Sequence, residues 1–203
     1  MKLLQITLFA AALTVSAFVF SAFGQAGYQL GQKVNDFTLK DSNGQNVSLS
    51  NFNNTKTVVV VFTNDICPYS RLYENRLMGL NNAYQNRGVK FIFINPAIGA
   101  EGGETVADMA KKASDNKYNF PYLADEGQKI SQQFGATKTP EVFVLHNVNK
   151  EFVLKYKGAI DDNPQLETGV KDNYLKNAID AVLNDRNVQA FDKRATGCLI
   201  KKY

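Results

Sequence analysis

Between Thr57 and Phe62 the chain reads Thr-Val-Val-Val-Val-Phe, and Thr63-Asn64-Asp65-Ile66 then lead into Cys67 and Pro68. Four consecutive β-branched residues ahead of a phenylalanine predict a strand. Its lack of polar alternation predicts cover on both faces. Pro68 suits the first position of a helix, where its missing N–H is not needed and its fixed φ is already helical. A buried strand running into a helix start points to an α/β architecture and sets Cys67 at a helix N-terminus. Unpaired amides and the helix dipole favour an anion there, so the thiol can ionise near neutral pH and act as a nucleophile.

Strand and helix signals alternate along the rest of the chain. Residues 25–35 are a polar lead-in. Phe37-Thr38-Leu39 and Val47-Ser48-Leu49 flank a turn through Asn43-Gly44 and predict two short strands, with a polar loop over 51–55. Leu72, Leu77, Leu80, Ala83 and Tyr84 recur at helical spacing as far as Gly88, and residues 89–94 are a second apolar strand. Thr105 caps a run bearing Val106, Met109, Ala110 and Ala113, residues 120–123 are extended, and residues 128–134 form a short helix stopped by Gly135. Residues 142–145 and 152–156 predict a hairpin, which puts His146 in its exposed turn. A last helix covers 174–184, with Leu175, Ala178, Ile179 and Val182 on one side. The expectation is an α/β fold of three layers, α/β/α, with a central mixed β-sheet.

Met1-Lys2 and the nearly continuous apolar or small run to Phe23, followed by Gly24-Gln25-Ala26, predict a secretory signal peptide over residues 1–24. Uncleaved, the run approaches the ~20 residues that span a bilayer. The expected location is therefore exported, periplasmic or secreted, with membrane attachment only if the leader is retained. Residues 25–185 then form one domain and 186–203 a polar tail. The net charge of +4 comes from scattered basic residues without interleaved aromatics, which argues against nucleic-acid binding. The two cysteines, Cys67 and Cys198, and the single histidine cannot complete a four-ligand zinc site. Asp161-Asp162 reads as a strand-end turn rather than a metal site. The sequence asks for no cofactor.

Four landmarks, in order, carry a resemblance: Gly31…Asp36-Phe37-Thr38-Leu39…Gly44…Ser48-Leu49, Cys67-Pro68-Tyr69-Ser70, Thr139-Pro140-Glu141-Val142-Phe143, and Gly158-Ala159-Ile160-Asp161-Asp162. Over most of residues 30–185 the chain resembles the thioredoxin-like superfamily, in its redoxin branch with the alkyl hydroperoxide reductase and thiol-specific antioxidant (AhpC/TSA) proteins. The resemblance implies a thioredoxin-like fold, Cys67 as the attacking cysteine, and a cis peptide before Pro140. It also implies that the Thr139 backbone pairs with an extended substrate. Pro68, Tyr69, Ser70, Thr139 and Pro140 are accordingly expected to line the substrate site.

The chain departs from that pattern in two ways. Ser70 stands where dithiol reductases carry a second cysteine, so a local two-cysteine cycle is excluded. Val60 and Asn64 stand where peroxiredoxins carry the proline and the threonine or serine of Pro-x-x-x-Thr/Ser-x-x-Cys, which counts against peroxide-specific chemistry. Near Cys67, Asp65 would raise the thiol pKa and Arg71 would lower it. Cys198 is open to three readings: a remote resolving cysteine freed by Gly197, a structural staple to Cys67, or an unpaired thiol.

Three functions follow. One is an exported thiol–disulfide oxidoreductase with Cys67 and Cys198 as catalytic residues. It would act on a disulfide- or thiol-bearing protein or a small-molecule thiol, with an external electron donor. Another is an antioxidant thiol peroxidase using the same pair. The third is a non-enzymatic binding module stapled by its cysteines. The redox readings require the Cys67 sulfur to be reachable at the mouth of a groove facing the proline loop.

Overall fold

The computed structural model describes residues 27–189 and 193–203; the leader over 1–24 lies outside them. In chain order the elements are β1 (Lys33–Val34), β2 (Thr38–Asp41), β3 (Asn46–Ser48), β4 (Thr57–Phe62), α1 (Pro68–Tyr84), β5 (Val89–Asn95), α2 (Val106–Asp115), β6 (Tyr122–Ala124), α3 (Lys129–Phe134), β7 (Lys138–Thr139), β8 (Glu141–Val148), β9 (Glu151–Gly158), α4 (Tyr174–Leu183) and β10 (Cys198–Leu199). Among the described residues, eight strands form one mixed sheet in the order β1-β9-β8-β4-β5-β6-β2-β3, and β10 pairs separately with β7.

Strand β4 lies centrally, parallel to β5 and antiparallel to β8, with Val60 opposite both Ile92 and Phe143. Every one of its residues is buried. Successive side chains point to opposite faces. Val59 and Val61 therefore join Phe91, Phe93 and Val144 in one core, with Tyr73 and Leu77 of α1, Met109 of α2 and Leu175 and Ile179 of α4. Val58, Val60 and Phe62 join Ile92, Ile94 and Phe143 in the other, with Ile130 and Phe134 of α3. These are the three layers expected. A strand with no polar face is what a sheet covered on both sides requires.

Helix α1 begins where the sequence predicts, with Cys67 extended at the N-cap and Pro68 in the first turn. It gives way to a 3-10 turn, and Gly88 follows in the left-handed region at φ 77°. Its buried face, however, is Tyr73, Leu77 and Tyr84, whereas Leu72 is 47 % exposed. Tyr73 and Leu77 are four apart and so share a face, and that choice turns Leu72 outward. Thr105 caps α2 through a reciprocal pair with Asp108. His146 does not sit in a turn. It lies in β8, opposite Thr57, because that strand runs three residues past the apolar stretch. Strand β1 was not expected, since two residues held only by β9 leave no local pattern. Among the described residues no helix is long and apolar enough to cross a membrane.

Candidate active site

Cys67 and Cys198 are joined by a disulfide across 131 positions, with their Cα atoms 5.9 Å apart. The bond is held from both sides. On the Cys67 side the backbone turns from β4 into α1, and the Cys67 N–H donates to Asn64 Oδ1 at 3.0 Å. On the Cys198 side the tail lies along β7 as β10, with Cys198 opposite Thr139 and Leu199 opposite Lys138. The Ile200 N–H donates to the Thr137 carbonyl at 2.9 Å. Further along, Gln128 Nε2 donates to the Lys201 carbonyl at 2.6 Å, and the Tyr203 hydroxyl donates to the Ile98 carbonyl. What the sequence presents as a polar tail is thus a strand seated on the proline loop. Its partner is some 60 residues away along the chain, so no local signal marks it.

The Thr139–Pro140 peptide is cis, and both residues are buried. The Thr139 carbonyl oxygen lies 3.0 Å from the Cys67 sulfur. A disulfide sulfur has no proton to donate, so in this state the approach is a contact rather than a hydrogen bond. Cys67 is only 1 % exposed, which differs from a sulfur open at a groove mouth. Two neighbours cover it: Cys198 is bonded to that sulfur with its strand paired to β7, and the Thr139 carbonyl lies against it. Beside the disulfide remains a hollow of about 250 Å³ bordered by Asn64, Ile66, Pro96, Ala97, Glu101 and Gln128. Ile66 and Leu199, the neighbours of the two cysteines, are 50 % and 71 % exposed. A larger hollow of about 780 Å³ lies beside α4 near Tyr174 and Arg186, where no cysteine reaches.

Of the residues following Cys67, Pro68 is exposed, Tyr69 half-buried and Ser70 buried. Cys67 makes no side-chain cap bond to α1 while it is in the disulfide. The hydroxyls of Ser70 and Thr139 are buried and, among the described residues, have no hydrogen-bond partner. The charges flanking Cys67 largely answer each other. Lys112 Nζ bonds Asp65 and, at 2.8 Å, Glu74, and Arg71 Nε donates to the Asp65 carbonyl at 2.6 Å. Burial works against the Lys112 ammonium, but Asp65 and Glu74 outweigh it and its pKa is raised.

Glu104 was missed by the sequence reading. Buried beneath the turn, it accepts the Asp65 N–H at 2.8 Å and Asn95 Nδ2 at 2.9 Å. Burial raises its carboxyl pKa, the two hydrogen bonds offsetting part of the rise. A carboxyl raised on folding binds its proton more tightly in the native state. Its contribution is therefore full below the unfolded value and lost as pH rises through the folded one. Glu104→Gln keeps an acceptor and never ionises. In urea unfolding it is expected to gain on the wild type between about pH 4 and pH 7, and a pH-independent difference would contradict this placement.

The site is thus a cysteine at a helix start, a cis-proline loop beside it, and a second cysteine delivered by a remote strand. Residues 30–162 match the AhpC/TSA family. The chain belongs to that family. It is similar to the chloroplastic peroxiredoxin Q of Suaeda salsa, 32 % identical over 118 residues, covering 54 % of this chain and 51 % of that protein. The chain spans about half the length of the curated relatives it matches. A hypothetical protein of Sinorhizobium meliloti 1021 has the same fold with a TM-score of 0.78 and 29 % identity, covering 87 % of this chain and 96 % of that one. A Chlorobium tepidum protein described as a thiol:disulfide interchange protein, DsbE, is 19 % identical, with a TM-score of 0.58 over 76 % of this chain and 98 % of its own. That likeness speaks for the fold, which is thioredoxin-like. Cys198 lies beyond the matched segment.

Proposed function

We propose that the protein is an exported thiol–disulfide oxidoreductase whose working couple is Cys67 and Cys198. One observation carries the reading: the bond joins a cysteine at a helix N-terminus to a strand laid against the cis-proline loop. A staple alone would need neither placement. The Cys67 thiolate attacks one sulfur of a substrate disulfide, the substrate S–S bond breaks, and its other sulfur leaves as a thiolate. The Cys198 thiolate then attacks the Cys67 sulfur and expels the bound substrate as its second thiolate. The substrate has gained two electrons and the protein holds the Cys67–Cys198 bond, which an external dithiol reduces. Pro68, Tyr69, Ser70, Thr139 and Pro140 line the place where the substrate binds. Export is supported by the apolar leader and by a disulfide chemistry that oxidising compartments sustain. The reduced full-length protein is expected to release 5-thio-2-nitrobenzoate from the free bis-nitrobenzoate disulfide markedly faster than Cys67→Ser does, and equal rates would overturn the reading.

Ser70 gives this chemistry a specific handle. Cys67 occupies the N-cap and Ser70 the third helical position, the geometry in which an N-cap side chain faces the amides of the first turn. Once the disulfide opens, the Cys67 thiolate offers the acceptor that the Ser70 hydroxyl lacks. A hydrogen bond to a charged group is worth about 1.5–3 kcal/mol. Ser70→Ala is therefore expected to raise the thiol pKa of the reduced protein by about one to two pH units, read from alkylation rates across pH. An unchanged profile would remove Ser70 from the site.

A second reading, thiol peroxidase, is favoured by AhpC/TSA membership and the peroxiredoxin Q relatives. In it the Cys67 thiolate attacks one oxygen of hydrogen peroxide, the O–O bond breaks with loss of hydroxide, and the cysteine becomes a sulfenic acid. Cys198 then condenses with it, releasing hydroxide. Against this, Asn64 is occupied with the Cys67 N–H, Arg71 with Asp65, and Arg76 with Asp161. Rapid hydrogen peroxide consumption lost in Cys67→Ser would favour the second reading over the first.

A further inference from the structure

We infer that the groove beside Cys67 selects extended substrates in which the reactive cysteine directly follows a glycine. This rests on Cys67 being the nucleophile, and the protein's own tail supplies the template. The tail is fixed twice: its sulfur is on Cys67, and its backbone is paired to β7 through Cys198 opposite Thr139 and Ile200 N–H on the Thr137 carbonyl. These anchors set where the residue before the cysteine meets the proline loop. At that position, Gly197, an added Cβ would lie 2.3 Å from the Thr139 oxygen, 2.7 Å from its carbonyl carbon and 3.1 Å from Pro140 N. Approaches under 3.0 Å are essentially never made by real Cβ atoms.

The obstruction is backbone and cannot rotate away. The Glu141 carboxylate accepts the N–H groups of Thr137 and Lys138 at 2.8 and 3.2 Å, holding the segment that would have to yield. Gly197 is not in the left-handed region, so the demand is for a missing side chain rather than for unusual backbone freedom. The next position is open, since Leu199 is 71 % exposed. A substrate strand bonded to Cys67 and paired to β7 meets the same wall. Tail and substrate then occupy the groove in turn: attack by the Cys67 thiolate breaks the substrate disulfide, expels its partner thiolate and leaves the Gly-Cys sulfur on Cys67. Returning Cys198 displaces it.

The test uses the full-length Gly197→Ala/Cys198→Ser double variant, in which the same clash drives the tail from the groove and no internal thiol competes. It is reacted with the peptide Ala-Thr-Gly-Cys-Leu-Ile carrying 5-thio-2-nitrobenzoate on its cysteine, and with the counterpart having alanine in place of glycine. Release of the coloured thiolate is expected at least tenfold faster with the glycine peptide, and equal rates would overturn the selectivity. The free bis-nitrobenzoate disulfide reports the nucleophile alone. If it fails to react with Cys67, the oxidoreductase reading falls and the inference with it; if it reacts while the peptides do not differ, only the selectivity falls. Should the double variant lack native circular dichroism, the same ratio is read from Cys198→Ser at higher peptide concentration, with the same outcomes deciding.

Discussion

Cys67→Ser is expected to abolish disulfide exchange, lowering the rate by at least about 10³-fold, whereas Cys198→Ser is expected to keep the first attack and lose the release. The difference follows from where each sulfur sits. Cys67 stands at the N-terminus of α1, where amides and dipole stabilise the thiolate, and its sulfur lies beside the Thr139 carbonyl. Cys198 stands on a two-residue strand whose hold on β7 is a short ladder. It is suited to arriving second. Mass spectrometry of a quenched reaction is expected to show no substrate adduct on the serine variant of Cys67 and a stoichiometric mixed disulfide on the serine variant of Cys198. Adducts on Cys198 in the Cys67 variant, at wild-type rates, would reverse the assignment.

Arg76→Ala is expected to destabilise the fold by about 3–5 kcal/mol. Arg76 and Asp161 form an ion pair at 2.9 Å with side chains only 8 % and 4 % exposed. The guanidinium also donates to the Asn163 carbonyl at 2.6 Å, and the Tyr73 hydroxyl donates to Asp161 at 2.8 Å. Burial first, and the Asp161 carboxylate second, keep that phenol protonated far above the usual tyrosine range. Removing the arginine leaves a buried carboxylate without its cation, which is the large part of the loss. For a chain of this size the thermal midpoint is expected to fall by roughly 6–20 °C. Adding Asp161→Asn should recover much of it, since the stranded charge is gone. A single variant within 1 °C of wild type would mean that the pair does not secure α1 to the loop after β9.

Much of the framework was legible because its signals are local. The valine run needed no partner to be read as a doubly covered strand, and Pro68 marked the helix start before any packing was known. Thr105, directly ahead of the run bearing Val106 and Met109, announces its own cap. The misses share one cause, dependence on distant chain. Leu72 and Tyr73 are both large and apolar, and periodicity cannot choose between adjacent positions until the sheet surface does. β10 exists only because β7 lies beside it. Glu104, Lys112 and Glu74 carry no local sequence signal, and only the fold brings them to the turn before Cys67. The burial of Cys67 was not marked locally, since the partner of its sulfur lies 131 positions away.

Redox function requires the Cys67–Cys198 bond to open and close under working conditions. Equilibrating the native full-length protein in graded thiol–disulfide buffers, alkylating and weighing it, tests that directly. A single two-electron transition in which both cysteines become alkylated together, between about −270 and −120 mV, is the predicted result. A bond still closed below about −300 mV would identify a permanent staple and contradict the redox account.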